Sequence, residues 1–162
     1  MSTIAVIGNP RLGSRTRQAA EMVVAQLTGA PPDAVIELAD LGPALLGWGD
    51  PTVAAAKAQV LGADLLVVAS PVFKASYTGL LKLFLDQFDA GELGGLPTVP
   101  LMLGGSPAHA LAGEVHLKPA LSEVGASCPT PALYLLDAEW DSSPALAAWL
   151  PVARAALGRS TV

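Results

Sequence analysis

Residues 65–88 read LLVVASPVFKASYTGLLKLFLDQF, and this stretch decides the fold class. It opens with five apolar residues that have no polar face, which is typical of a strand covered on both sides. Its last part places four large apolar side chains on one helical face: Leu81, Phe84, Leu85 and Phe88. A buried strand that leads through a loop into an amphipathic helix predicts one βα unit of a parallel sheet.

The same alternation extends in both directions along the chain. Strands are predicted at residues 3–7, 34–38, 65–69, 98–103 and 133–136. Helices are predicted at residues 14–27, 53–61, 78–88, 111–124 and 144–157, with Pro119 expected to kink or break the fourth and Pro151 to interrupt the fifth. Five such units predict an α/β, doubly wound, five-stranded parallel sheet in the order 2-1-3-4-5, with helices on both faces. No repeat or linker is visible, so residues 1–162 are predicted to form a single domain.

Composition and charge exclude several classes of function. The chain is 52% hydrophobic and 14% charged, which disfavours disorder, and its net charge of −5 offers no electrostatic footprint for nucleic acid. No signal peptide or membrane helix is recognisable, and the single cysteine, Cys128, rules out an intrachain disulfide, so we expect a cytoplasmic location. The mean hydropathy of +0.50 is high, and either a subunit interface or an Ala-rich core explains it.

Ligands of open parallel sheets bind at the carboxyl ends of the strands, at the switch point between strands one and three. The loop after strand one, residues 8–16, leads into a helix N-terminus, where free N–H groups favour an anion. Hydroxyl and cationic side chains strengthen this phosphate-site prediction: Arg11, Ser14, Arg15 and Thr16. An ordinary βα turn with Ser14 as helix N-cap explains the same residues equally well.

The loop after strand three, residues 70–79, is unusually rich in large side chains. Pro71, Val72, Phe73 and Tyr77 predict an apolar wall for a flat ring system, with backbone polar groups along its edge. The alternative is a hydrophobic βα loop capped by Ser76 or Thr78.

The loop after strand four begins with Gly104, Gly105 and Ser106. Paired glycines let a backbone approach a ligand closely, although they are also common in plain tight turns. His109 is expected near the ligand, whereas His116 is expected to be structural or interfacial, and no further metal ligands stand at suitable spacing.

Three other features carry weaker predictions. Cys128 is placed at the start of strand five as an inert core thiol, and no nucleophile elbow is present. The acidic residues after strand five, at 137, 139 and 141, are interpreted first as a solvated loop and second as a substrate gate. Residues 40–50 form the longest irregular loop, and its Leu45, Leu46 and Trp48 either pack on a neighbouring subunit or fold back onto the core.

Three segments together resemble the NADPH-dependent FMN reductase family, and within it the reductase components of two-component alkanesulfonate monooxygenases. They are IAVIGNPRLGSRT at 4–16, SPVFKASYTGLLKLFLD at 70–86 and GGSPAHALAGEVHLKPALSEVGA at 104–126, and the middle one is the most specific. The resemblance implies a flavodoxin-like fold, FMN as the flavin, NADPH or NADH as the hydride donor, and a homodimer or homotetramer. It also implies a flavin-dependent monooxygenase as the partner that receives reduced flavin.

The resemblance also assigns residues. It implies that Arg11, Ser14 and Thr16 bind the FMN phosphate, that residues 71–74 border the isoalloxazine, and that residues 104–106 wrap its pyrimidine edge. Lys74 is the candidate for an electrostatic role beside the flavin oxygens or the phosphate of a nicotinamide nucleotide, and no catalytic side chain is named.

The chain departs from its relatives at two places. Asn9 stands where many relatives have Ser. Some relatives carry an extra aromatic residue that bulges the fourth helix at the subunit interface, and Val115 followed by His116 stands there instead. The sequence therefore leaves the bulge open.

Three alternative functions stay open at this point. An FMN-bound quinone or azo-dye reductase would use the same loops, and a non-enzymatic electron carrier or redox sensor would shield its flavin from nicotinamide. A flavin-free structural domain that merely kept the fold is the third alternative.

Overall fold

The computed structural model describes residues 1–158, and the last four residues of the predicted domain, 159–162, lie outside the described part. Five strands form one parallel sheet in the order β2-β1-β3-β4-β5, which confirms the predicted topology. The strands are β1 (Thr3–Ile7), β2 (Ala34–Glu37), β3 (Leu65–Pro71), β4 (Thr98–Gly104) and β5 (Leu133–Leu136).

Helices cover both faces of this sheet, as predicted. They are α1 (Arg15–Thr28), α2 (Leu38–Leu41), α3 (Pro51–Leu61), α4 (Gly79–Leu85), α5 (Lys118–Glu123) and α6 (Pro144–Ala156). Side chains alternate along β1, so that Ile4 and Val6 enter the core beneath α3, α4 and α5, whereas Ala5 and Ile7 enter the core beneath α1 and α6. The sheet is therefore buried on both sides, which is why its strands lack a polar face.

Polar caps start four of these helices. Ser14, Asp50, Thr78 and Ser143 accept hydrogen bonds from backbone N–H groups of the first turn of α1, α3, α4 and α6 respectively. Of the two caps proposed for the loop after β3, Thr78 is the one used. Because these caps set where each helix begins, they also set where the loops at the carboxyl edge end.

The prediction that Pro151 interrupts the last helix was wrong, because α6 runs through it. Pro151 lies on the exposed side of α6, while Leu146, Trp149 and Ala153 are buried against the sheet on both sides of it. Burial of these side chains outweighs the single helical hydrogen bond that a proline cannot donate.

The helix predicted at 111–124 consists of a π-helical turn at Gly113–Leu117 followed directly by α5, which contains Pro119 in its first turn instead of breaking there. The bulge is therefore present without an aromatic residue at Val115 or His116. Glu114 holds the turn, since its carboxylate accepts from the N–H of Ala132 at 2.6 Å and from Lys118. Burial raises the pKa of Glu114, but these two donors outweigh it and the net pKa is lowered.

The stretch 40–50 is more regular than predicted, because it contains the end of α2 and a 3₁₀ turn at Gly42–Leu46. Its apolar residues differ in burial, and the core alternative holds for Leu45 only. Leu45 is buried in the core, whereas Leu46 and Trp48 are 74% and 76% exposed. Within residues 1–158, no helix is long and apolar enough to cross a membrane.

Candidate functional site at the carboxyl edge

A cavity of about 530 Å³ opens at the carboxyl ends of β1, β3 and β4, where the topology places the switch point. It is lined by most of the predicted site residues: Arg11, Ser14, Arg15, Thr16, Pro71, Val72, Phe73, Gly104 and Gly105. Residues that were not named individually as site residues complete the wall: Asn9, Leu12, Gly13, Gln18, Leu103 and Asp137. Its size lies within the range of small-molecule sites.

The loop 8–16 is held by the Asn9 side chain. The Asn9 amide donates to the Thr16 hydroxyl at 2.9 Å, and its carbonyl oxygen accepts from the Arg11 N–H at 2.9 Å. Ser14 is 7% exposed and caps α1 by accepting from the Arg17 N–H at 3.3 Å. The N-cap interpretation of Ser14 is therefore correct, and it leaves the hydroxyl proton of Ser14 able to bind an anion.

Three consecutive backbone donors, where this loop enters α1, have no partner within the described residues. The N–H groups of Ser14, Arg15 and Thr16 donate to no atom there, as is usual for the first turn of a helix. These donors and two hydroxyls stand around the same end of the cavity, which makes that end an anion site by its chemistry.

Free cations mark the site. Nine lysines and arginines occur in the sequence, and eight lie in the described part of the chain. Six of these eight bond through their side chains to carboxylates or carbonyl oxygens: Arg15, Arg17, Lys57, Lys82, Lys118 and Arg154. The remaining two, Arg11 and Lys74, have no side-chain partner among the described residues, and both line cavities at this edge. Arg15 also lines the cavity but is bonded to Asp137.

The loop after β3 turns back sharply on itself. Phe73 and Ser76 exchange backbone hydrogen bonds of 2.8 and 3.2 Å, and Lys74 and Ala75 between them take positive φ values of 52° and 65°. Such values cost energy in residues with a side chain, and outliers of this kind are frequent at ligand sites. Thr78 ties this loop to the first one by donating to the Gly8 carbonyl at 2.5 Å.

The two aromatic residues of this loop have different surroundings. Phe73 is 51% exposed and lines the cavity, beside Pro71 and Val72. Tyr77 is half-buried against the core and lines neither this cavity nor its neighbour.

The loop after β4 is anchored by Tyr134, whose hydroxyl donates to the Ser106 carbonyl at 2.6 Å. A side chain at Gly104 would collide with the Tyr134 ring, so Gly104 is required by packing inside the protein. Around Gly105, in contrast, the space for a Cβ is open. Burial raises the pKa of Tyr134.

A second cavity of about 540 Å³ adjoins the first and shares Val72 and Gly105 with it. Its other lining residues are Lys74, Ala75, Ser106 and His109, which places His109 beside the first cavity. No cluster of metal-ligating side chains is found among residues 1–158.

Cys128 lies in the connection before β5, five residues earlier than the strand itself, so its predicted place was wrong. Its thiol is partly buried, and burial raises its pKa to about 11. It lines neither cavity, and a raised pKa keeps the thiol protonated and unreactive.

Two important residues escaped the sequence analysis as site residues. Asp137 was interpreted first as part of a solvated acidic loop and only second as part of a substrate gate, although its position directly after β5 is a signal for the carboxyl edge. Glu37 was not singled out, yet it is buried and bonds to the loop 8–16. The signal in the sequence that could have identified Glu37 is a single charged residue at the end of an apolar strand.

Comparison with known proteins agrees with this geometry. A family model described as NADPH-dependent FMN reductase matches residues 1–141. The FMN reductase (NADPH) of Escherichia coli is 35% identical over 130 residues, which is 78% of this chain and 68% of that protein. An NADH-dependent FMN reductase of Pseudomonas fluorescens is 36% identical over 75% of this chain and 69% of that protein.

A solved structure shows the same likeness in three dimensions. The apo crystal structure of an NADH:FMN oxidoreductase superposes with a TM-score of 0.83 at 32% identity, over 99% of this chain and 91% of that one. The flavodoxin-like fold is thereby confirmed, and the chain belongs to the NADPH-dependent FMN reductase family.

Proposed function

We propose that this NAD(P)H-dependent FMN reductase binds FMN in the cavity at the carboxyl edge, with the phosphate on the loop 8–16. The observation that carries the proposal is that Arg11, Ser14 and Thr16 line one end of that cavity. Pro71, Val72 and Phe73 line it too and would border the isoalloxazine, while residues 104–106 follow its pyrimidine edge.

The phosphate end has the right donors for a dianion in an acidic protein. N–H groups and an Arg11 guanidinium that have no partner in residues 1–158 supply local positive potential together with two hydroxyls, although the net charge is −5. The ring end has apolar walls with backbone groups at its border, which is the composition expected of a flavin pocket.

We place the nicotinamide nucleotide in the adjoining second cavity. The two cavities share Val72 and Gly105, so a ligand in one lies against a ligand in the other. Lys74 and His109 line the second cavity, and the Lys74 ammonium has no partner among the described residues. This cation suits a phosphate of the nucleotide.

Bound FMN would supply the redox chemistry of the reaction, as the acceptor of a hydride from the reduced nicotinamide. The chain itself orients the two ligands, shields their contact from water and offers hydrogen bonds to the flavin edge. This work needs no acid–base side chain, and none is assigned.

Replacing Lys74 tests the placement of the nucleotide. Lys74→Met is expected to raise the KM for NADPH by about fivefold and to affect NADH less, since NADPH has one more phosphate. Lys82→Met is the matched control, because Lys82 is paired with Asp86 on α4 and lines neither cavity. If Lys74→Met leaves both the hydride-transfer rate and the affinity for NADPH unchanged, the assignment fails.

We further propose that reduced flavin leaves this protein for a flavin-dependent monooxygenase. The cavity opens to solvent beside two exposed apolar side chains, Leu12 and Phe73, which leaves an exit for the flavin. Ultrafiltration after reduction tests this: FMN is expected in the filtrate, whereas FMN retained with the protein would indicate a bound prosthetic group.

A homodimer or homotetramer is part of the same proposal. Leu46 and Trp48 present a highly exposed apolar surface next to α2, which is costly in a monomer. Light scattering is expected to give two or four times the chain mass of 16.4 kDa, and a mass of one chain would contradict it. One domain over residues 1–162 and a cytoplasmic location complete the proposal, supported by the single continuous sheet and the lone free thiol.

A further inference from the structure

Glu37 is the one acidic or basic residue that is buried in the part of the chain the structure describes, at 7% exposure. A buried carboxylate is costly unless it is paired and hydrogen-bonded. Glu37 ends β2, and the parallel register sets it opposite Ile7, where β1 ends and the loop 8–16 begins. Core packing alone does not explain a charged residue at this position.

Both carboxylate oxygens of Glu37 are used. Oε1 accepts the backbone N–H of Gly13 at 2.9 Å, and Oε2 accepts from Nη1 of Arg17 at 2.6 Å. One side chain thus joins the edge strand to the loop and to the first turn of α1.

The bond to Gly13 fixes the loop where its backbone turns. Gly13 has a φ of 61°, a left-handed value that glycine adopts readily, and the next residue is the N-cap Ser14. From the other side, the Gln18 amide donates to the Gly13 carbonyl at 3.2 Å. With Gly13 held on both sides, the following N–H groups are left to line the cavity.

The bond to Arg17 compensates the negative charge of Glu37, which would otherwise repel an anion. A bare carboxylate beside a phosphate site would repel the ligand, and the Arg17 guanidinium neutralises it. Arg17 also bonds to Glu21 at 3.0 Å, so its guanidinium is paired with two carboxylates. Arg17 does not line the cavity.

We propose that Glu37 is the positioning residue of the phosphate loop and that it sets the preference for FMN over riboflavin, which lacks the phosphate. This inference rests on the proposed FMN site. Glu37 lines neither cavity. It acts through Gly13, by holding the loop in the shape that presents its N–H and hydroxyl donors together.

The test compares two flavins on Glu37→Gln, which keeps the shape of the side chain but removes its charge. Dissociation constants for FMN and riboflavin are measured by quenching of flavin fluorescence. We expect Glu37→Gln to weaken FMN binding roughly tenfold, because a hydrogen bond to a charged group is lost, and to leave riboflavin binding within about twofold. Glu37→Ala, which removes both bonds, is expected to lower the preference further.

Glu21→Gln is the matched control, since Glu21 bonds to the same Arg17 but, among the described residues, makes no hydrogen bond to the loop 8–16. It is expected to keep the wild-type preference for FMN. If Glu37→Gln lowers the affinity for both flavins equally, or lowers the affinity for neither, the inference is overturned. If instead the wild-type protein binds riboflavin as tightly as FMN, the proposed phosphate site itself fails, which is a separate outcome.

Discussion

Arg15 and Asp137 bond across the cavity at the carboxyl edge. Nη1 of Arg15 donates to the Asp137 carboxylate at 2.7 Å and to its backbone carbonyl at 3.0 Å. The pair joins the start of α1 to the loop after β5, and the two residues are 122 positions apart in sequence. It also means that Arg15, predicted as a phosphate ligand, shares its charge with a carboxylate that lines the same cavity.

Asp137→Asn is expected to tighten FMN binding. The change removes a negative charge from the cavity wall and frees Arg15 for the phosphate. Since the two side chains are 57% and 43% exposed, solvent screens the effect, and we expect a gain of roughly two- to fivefold in affinity. Titration of FMN at low and high salt measures it, and the gain should shrink with salt. Weaker binding would mean that Asp137 instead holds Arg15 where the phosphate needs it.

Arg11→Gln is expected to lose FMN affinity because the free guanidinium at the phosphate end is removed. Because a charge-assisted hydrogen bond is lost, we expect the affinity for FMN as substrate to fall roughly tenfold. Riboflavin reduction should change little. Arg154→Gln is the control, because Arg154 bonds to the Gln26 carbonyl and lines neither cavity. An equal loss with both flavins would show that Arg11 does not act on the phosphate.

Tyr134→Phe is expected to loosen the loop after β4. The change removes the hydroxyl that donates to the Ser106 carbonyl at 2.6 Å but keeps the ring that packs beside Gly104. The free energy of unfolding should fall by about 1 kcal/mol, which urea denaturation measures. An unchanged midpoint would show that this hydrogen bond contributes nothing to stability.

Cys128 is expected to react slowly with iodoacetamide at pH 8. Burial raises its pKa to about 11, so its thiolate is scarce at that pH. Alkylation should be slower than that of an unfolded control by on the order of 100-fold, since an ordinary cysteine has a pKa near 8.5. Rapid alkylation of the native protein would contradict the burial.

The raised pKa of Cys128 also predicts how the stability of the fold changes with pH. The thiol binds its proton more tightly in the folded chain, because its pKa there is raised. Its contribution to stability is therefore complete below about pH 8.5, the ordinary pKa, and is lost as pH rises toward 11.

The sequence allowed the strands, the sheet order and the three site loops to be predicted, because these depend on local patterns. Apolar runs such as 65–69 and polar caps such as Ser14 and Thr78 act within a few residues of themselves. The crossover rules of parallel sheets then leave few topologies.

Other features depend on partners far away in sequence. Glu37 bonds to Gly13, and Glu114 holds the π-helical turn through Ala132; neither pairing has a local signature. Pro151 misled the prediction because the burial of its neighbours decides whether the helix continues. For the same reason, Leu45 and Trp48 looked alike in sequence but have opposite environments.

The claim that flavin reduction occurs at the carboxyl edge is tested most directly by an anaerobic stopped-flow experiment. The wild-type protein and Gly105→Leu are mixed with FMN and NADPH or NADH, and the loss of visible flavin absorption is followed. Gly105 lines both cavities, and the space around its Cβ position is open, so leucine should fill the site without disturbing the fold. We predict rapid bleaching by the wild-type protein and strongly slowed bleaching by a folded Gly105→Leu. Equal rates in the two proteins, or no bleaching by the wild type with either nucleotide, would contradict the account.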